Sequence, residues 1–135
     1  MANIIPFAFR GELFSGTHNF ANGGNSFKIA LYTGNPYSTS STQYLTAQEV
    51  SASNTGYTTA GQVLGSQAVA SGTAVASVDF ADSVLNNATF TAAFAAIYND
   101  TNGNKLCVVL DFGGNKTATN GTFTISFPNP STPAN

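Results

Sequence analysis

Charge is the scarcest property of this chain. Only 7% of its 135 residues are Asp, Glu, Lys or Arg, against about 25% in an ordinary soluble domain. The basic residues Arg10, Lys28, Lys105 and Lys116 are scattered, and the formal net charge is −2. Nucleic-acid binding draws its affinity from clustered Lys and Arg that displace counterions from phosphates, so no nucleic-acid partner is expected. Cysteine occurs once, at Cys107, which excludes an intramolecular disulfide. Tryptophan is absent. No apolar run approaches the roughly 18 residues of a membrane helix, so no membrane partner is expected either. The opening "MANIIPFAFRGELF" lacks a basic n-region and a long apolar h-region, and the expectation is synthesis and folding in a cytosol. No cluster of His, Cys, Asp and Glu carries metal-ligand spacing, and no cofactor is expected.

What remains is an apolar share of 42% inside a surface of Ser, Thr, Asn, Gln and Gly. A nearly neutral surface does little to keep copies apart in solution. It suits a chain that sits against other protein, or one exposed in a harsh medium. At this length one domain with a real core is expected.

Period-two patterns dominate. "FKIALYT" places Phe27, Ile29 and Leu31 on one face and Lys28, Ala30 and Tyr32 on the other, the mark of a strand. "YTTAGQVL" reads as a short strand weakened by Gly61. In "GTAVASVDFADSV" the residues Ala74, Ala76, Val78 and Phe80 share a face. "NATFTAAFAAIYND" reads as a strand, since no cap or charged helical face accompanies its alanines. "NDTNGNK" then turns through Asn102-Gly103. Leu106, Val108, Leu110 and Phe112 point one way and Cys107 and Val109 the other. A strand apolar on both faces is central or covered by a partner. "GGNKTATNG" is expected to turn the chain back into a further strand carrying Phe123, Ile125 and Phe127. The one helical signal is "FAFRGELFSG", a turn or two over residues 7–14 ending at Gly16. Between residues 34 and 56 runs a long polar connection with Tyr37, Tyr44 and Leu45 as anchors. The expectation is an all-β fold, an antiparallel sandwich or small barrel with a short N-terminal helical segment. The domain spans 1–128 with an N-terminal arm over about 1–20, and residues 129–135 form a Pro-rich tail.

Reactive groups are single and unpartnered in the sequence. His18 is the only histidine. A triad with Asp79 or Asp111 lacks a nucleophile elbow, and a polar loop residue is the simpler reading. Cys107 lies in an apolar strand with no basic neighbour in sequence, the setting of an inert small hydrophobe. "DFGG" at Asp111–Gly114 has none of the other kinase motifs with it, and "GGNKT" lacks the glycine before the lysine of a phosphate loop. "DTNGN" at Asp100–Asn104 has its glycine misplaced for a calcium loop and no closing acid. Asp79 and Asp82 have no partner environment for a glycosidase pair. The N-x-[ST] triplets at Asn87, Asn99, Asn115 and Asn120 are by-products of Asn- and Thr-rich turns. No enzyme activity is expected, and hydrolysis through His18 or Asp79 ranks last.

Nearly the whole chain, residues 7–128, resembles a family of small virion structural proteins of tailed bacteriophages. The resemblance is carried by "FRGELFSGTHNF", "FKIALYTGNPY", "EVSASNTGYTTAGQVL", "SVDFADSVLNNATFTAAFAAIYND" and "LDFGGNKTATNGTFTISFP". These match an F-K-I-A-L-Y-T strand, a G-Y-T-x-x-G element, V-x-F-x-D and A-x-I-Y-x-D strands, and a terminal D-F-G…G-T-F-T-I hairpin. Leu85 stands where the family pattern commonly has an aromatic. The resemblance implies a capsid decoration, or cement, protein, made in the host bacterial cytoplasm and located on the capsid surface of the virion. It implies the major capsid protein as partner and self-association as a homotrimer. The candidate contact residues are Ile4, Ile5, Phe7 and Phe9 in the segment Ile4–Phe14, and Pro128, Pro130 and Pro133 in the tail. The four N-terminal residues have a second reading, as a lid on the protein's own core. A tail, adaptor or fibre component of the virion is the alternative role. A carbohydrate-binding sandwich is a further one, with Tyr32, Tyr37, Tyr44, Tyr57 and Tyr98 as its only aromatic platforms.

Overall fold

The structure, a computed structural model, describes residues 2–127. It is all-β with one helix, α1 (Phe7–Phe14). The strands are β1 (Phe27–Tyr32), β2 (Gln62–Leu64), β3 (Ala68–Ser71), β4 (Ala76–Asp79), β5 (Ser83–Asn99) and β6 (Lys105–Ile125). An antiparallel sheet runs in the order β2-β1-β5-β6, and β3 and β4 form a separate two-stranded ribbon.

The expected strand over "FKIALYT" forms, and its two faces feed two cores. Phe27, Ile29 and Leu31 enter the larger one, with Tyr57, Phe80, Leu85, Phe90, Ile97 and Phe123. Ala30 and Tyr32 enter the smaller one, with Tyr37, Ala96, Tyr98, Leu106 and Val109. The chain thus covers both faces of its own sheet, which an antiparallel sheet does not require. The "NATFTAAFAAIYND" strand and the turn after it also form, with Asn99 opposite Lys105.

Three expectations change. "GGNKTATNG" does not reverse the chain: β6 runs unbroken from Lys105 to Ile125 along the whole of β5. The glycines instead make a large bulge. Two steps along β5, from Ala92 to Phe94, match five along β6, from Lys116 to Asp111. Gly113 and Gly114 take positive φ there, +73° and +138°, which only glycine adopts freely. The bulge curls β6 so far that the Phe112 and Phe123 rings lie 6.2 Å apart. A straight strand would separate them by roughly 36 Å. Second, strict alternation fails at Cys107. A one-residue register slip between Ile97 and Tyr98 sends Leu106 to the smaller core and Cys107, with Val108, to the larger. β6 is an edge strand, not a central one, and its apolar faces are covered by the chain's own segments. Third, the expected packed face of "GTAVASVDF" is open. Ala76 and Val78 are exposed and only Phe80 is buried. The reason is topological: β4 pairs with β3 alone, and β3 had no clear pattern of its own in the sequence.

Candidate functional site

An eight-residue helix is marginal in water by itself, and α1 has no fully buried residue. It is held by two side chains on one face. Phe9 packs against the larger core, with its ring 5.0 Å from His18 and 6.2 Å from Phe20. Glu12, one turn on, enters a polar network. The opposite face is apolar and open. Phe7 and Phe14 are seven residues apart, which returns them to one side of the helix. Phe14 is 94% exposed and Phe7 62%, and Ile5 and Leu13 are about half exposed. Arg10 lies over the Phe7 ring at 5.5 Å. Before the helix, Ile4 bridges antiparallel to Val109, with both backbone hydrogen bonds at 2.9 Å.

The network at Glu12 is one the sequence hides. Lys105 Nζ reaches Glu12 Oε1 at 2.7 Å and His18 Nε2 reaches Glu12 Oε2 at 2.8 Å. Asn99 Nδ2 lies 3.0 Å from His18 Nδ1 and 3.0 Å from Asn25 Oδ1. The Asn99 Nδ2 group can only donate, so His18 Nδ1 accepts and the ring carries its proton on Nε2, donated to Glu12. Burial alone would raise the Glu12 carboxyl, but the hydrogen bonds from Lys105 and His18 and the charge of Lys105 hold it below its ordinary range.

Cys107 therefore does have a basic neighbour, contrary to the reading along the strand: its Sγ lies 3.8 Å from His18 Nδ1. A thiol, an imidazole and a carboxylate in line resemble the parts of a cysteine hydrolase. The arrangement is unsuited to that chemistry. The Nδ1 lone pair is already taken by Asn99. The Cys107 thiol is pushed up to about 12 by burial and by the Glu12 charge. The thiol is 1% exposed and the His18 side chain 0%, which leaves a substrate no access. His18 is thus a loop residue, as expected, between α1 and β1, and it is a buried, structural one.

The second glutamate organises the long connection after β1. Tyr44 Oη donates to Glu49 Oε2 at 2.5 Å, Tyr57 Oη to Glu49 Oε1 at 2.6 Å, and the Ala60 N–H to Oε1 at 2.8 Å. Tyr98 Oη donates to the Ala60 carbonyl at 2.5 Å. Tyr32 Oη donates to the Leu45 carbonyl at 2.8 Å and lies 2.6 Å from Tyr37 Oη. Burial raises the phenols of all five. Every tyrosine is spent on holding residues 33–61 to the sheet. Tyr37 and Tyr44 are anchors as expected, whereas Leu45 is 38% exposed. None of the five phenols offers an open platform for a sugar.

The remaining candidates are structural in their contacts. Asp111 Oδ1 accepts from the Gly113 N–H at 2.8 Å, which turns "DFGG" into the entry of the bulge. Asp82 accepts from the Phe127 N–H and the Ser126 hydroxyl, pinning the end of β6. Asp100 pairs with Lys28 at 3.3 Å. Among the described residues no group of three or more His, Cys, Asp and Glu could hold a metal ion. Of the proposed contact residues, Ile5 and Phe7 are open, Phe9 packs inward, and Ile4 is half-buried on the smaller core. Phe9 and Ile4 thus serve the lid reading, and Ile5 and Phe7 are left exposed. Pro128, Pro130 and Pro133 lie outside the described residues. Leu13 and Phe14 complete the open patch. The i, i+7 spacing of Phe7 and Phe14 was the signal for it.

No family model matches the chain, and no curated protein and no solved structure is significantly similar to it.

Proposed function

We propose that this chain is a structural protein of a tailed-bacteriophage virion, a decoration protein that binds the outer capsid shell and bridges major capsid protein subunits as a homotrimer. The observation that carries the binding part is the open apolar face of α1. Phe14, Phe7 and Leu13 stand on a helix, with Ile5 just before it, that is fixed to the sheet by Ile4, Phe9 and Glu12. Apolar side chains exposed together on an ordered element, in a chain with few charges, are the features of a contact surface. The fixed helix means that little ordering entropy opposes binding. The phage and capsid part rests on the sequence resemblance. Many modest contacts on a closed lattice add to a large stabilisation.

The test is co-sedimentation with mature capsids stripped of accessory proteins, followed by cryo-EM of the pellet. Saturable binding at fixed copies per particle, with density outside the shell, is expected. The double variant Phe7→Ser/Phe14→Ser should remain folded and lose binding. Density on a tail, or no binding, would overturn the decoration role. This surface variant is cleaner than removal of residues 1–10, which also takes away Ile4 and Phe9 from the two cores.

A further inference from the structure

The outer edge of β6 is covered for part of its length only. From Lys105 to Val109 the chain supplies its own partners: the Leu106 N–H donates to the Thr42 carbonyl at 3.0 Å, and Ile4 bridges Val109. Among the described residues that cover reaches Asn3, whose Oδ1 accepts from the Asp111 N–H at 2.7 Å. From Gly114 to Ile125, among the described residues, β6 pairs with no strand but β5. A groove of about 540 Å³ opens where the cover stops. Asn3 forms its mouth, and the rest of its wall comes from β6 and Ser126, including Leu110, Phe112, Thr122 and Thr124. The curl at the bulge makes this wall, since it brings Phe112 against Phe123. Exposed strand edges with an apolar floor invite another strand.

We infer that this edge receives the C-terminal segment, residues 128–135, of a second copy of the chain as a short added strand. Two observations select that occupant. The first is where the segment leaves. The Phe127 N–H is held by Asp82 at 2.9 Å and the Phe127 ring packs 5.7 Å from Phe80. The chain therefore departs from the finished end of β6, beyond Ser83, and a return along its own edge would need a reversal started after Phe127. The second is the spacing in "PNPSTPAN". In an extended strand the N–H groups of alternate residues point to opposite sides. Pro128 and Pro130 lack that donor and fall on one side, and Asn129 and Ser131 fall on the other with theirs intact, the side on which Pro133 also falls. Residues 128–131 can therefore pair on one side and cannot be extended on the other, and Pro133 stops the pairing after Ser131, so the added strand is short and ends a sheet rather than continuing it. The contact is head-to-tail, which between identical copies gives a ring where the rotation closes and a filament where it does not. It concerns contact between copies and stands or falls separately from shell binding.

The experiment uses the ¹⁵N-labelled full chain in solution, without capsids, and unlabelled synthetic peptide of residues 128–135. Saturable shifts are expected at the amides of Leu110–Phe112 and Thr122–Ser126. The Asn129→Pro peptide, which removes a pairing donor, should bind at least about tenfold more weakly, the effect of one lost hydrogen bond. The Pro130→Ala peptide should bind as the natural one does. The full chain carrying Asn129→Pro, with its spectral dispersion retained, should self-associate correspondingly less by sedimentation velocity. Absence of saturable shifts, shifts confined to α1, or equal binding by the Asn129→Pro peptide would overturn the inference. So would edge amides whose protection from exchange is unchanged on dilution, because the chain would then be covering its own edge.

Discussion

The two glutamates do the same physical work in two regions with opposite surfaces. Glu49 gathers Tyr44, Tyr57 and the Ala60 N–H and draws residues 33–61 onto the sheet. That region buries its aromatics as it is fixed. Glu12 gathers Lys105 and His18 and fixes α1. That region is held as firmly in place yet leaves Phe7 and Phe14 in the open. A carboxylate supplied with two or three donors can anchor a segment in a chain with few charges. Whether the segment then serves the fold or a partner depends on where its apolar side chains point.

The comparison breaks most completely at Gly61. Its φ is +79°, and an added Cβ would lie 1.9 Å from the Ile29 carbonyl oxygen. Gly61→Ala should cost more than about 3 kcal/mol in urea unfolding, or prevent recovery of folded protein, since backbone must move. Glu49→Ala comes next. It strands two tyrosine hydroxyls and one N–H, each worth about 1 kcal/mol or more when left unpaired, so a loss of about 3 kcal/mol is expected by the same measurement.

Glu12→Gln should cost less, about 1–2 kcal/mol, because the amide keeps one acceptor for Lys105 or His18. Its pH profile sharpens the point. The Glu12 carboxyl is held below its ordinary value of 4.5. Its contribution is therefore complete above about pH 4.5 and lost as pH falls through the lower folded value. Wild type should lose more stability than Glu12→Gln over that acid window. Equal slopes would show that the network is not charge-assisted. The smallest stability effect is expected for Phe14→Ser, within about 0.5 kcal/mol, alongside the largest loss of particle binding.

Much of the architecture was legible because its signals are local. The β1 alternation, the β5 strand, the turn at Asn102-Gly103 and the helix over residues 7–14 each follow from neighbours in sequence. "GGNKTATNG" misled because two glycines serve a turn and a bulge equally well. The partner decides between them, and the long β5 strand offers hydrogen bonds across the whole span. Val78 misled for a related reason, since alternation marks a strand but not which face meets a core. The Glu12–His18–Asn99 network was invisible because its members are 6 and 81 residues apart. The tyrosines were visible as residues and not as a set.

By itself, the sequence determined the all-β character, the poverty of charge, the lack of disulfide staples and the missing donors of the proline-spaced tail. These are properties of composition and of single backbone units. The tertiary structure decided that β6 bends without turning back, that Cys107 and His18 meet in a closed interior, and that α1 turns Phe9 inward and Phe7 and Phe14 outward. Those outcomes depend on which distant segments pair. Pairing is settled by the joint burial of both sheet faces and the satisfaction of every buried donor, neither of which any short stretch of sequence contains.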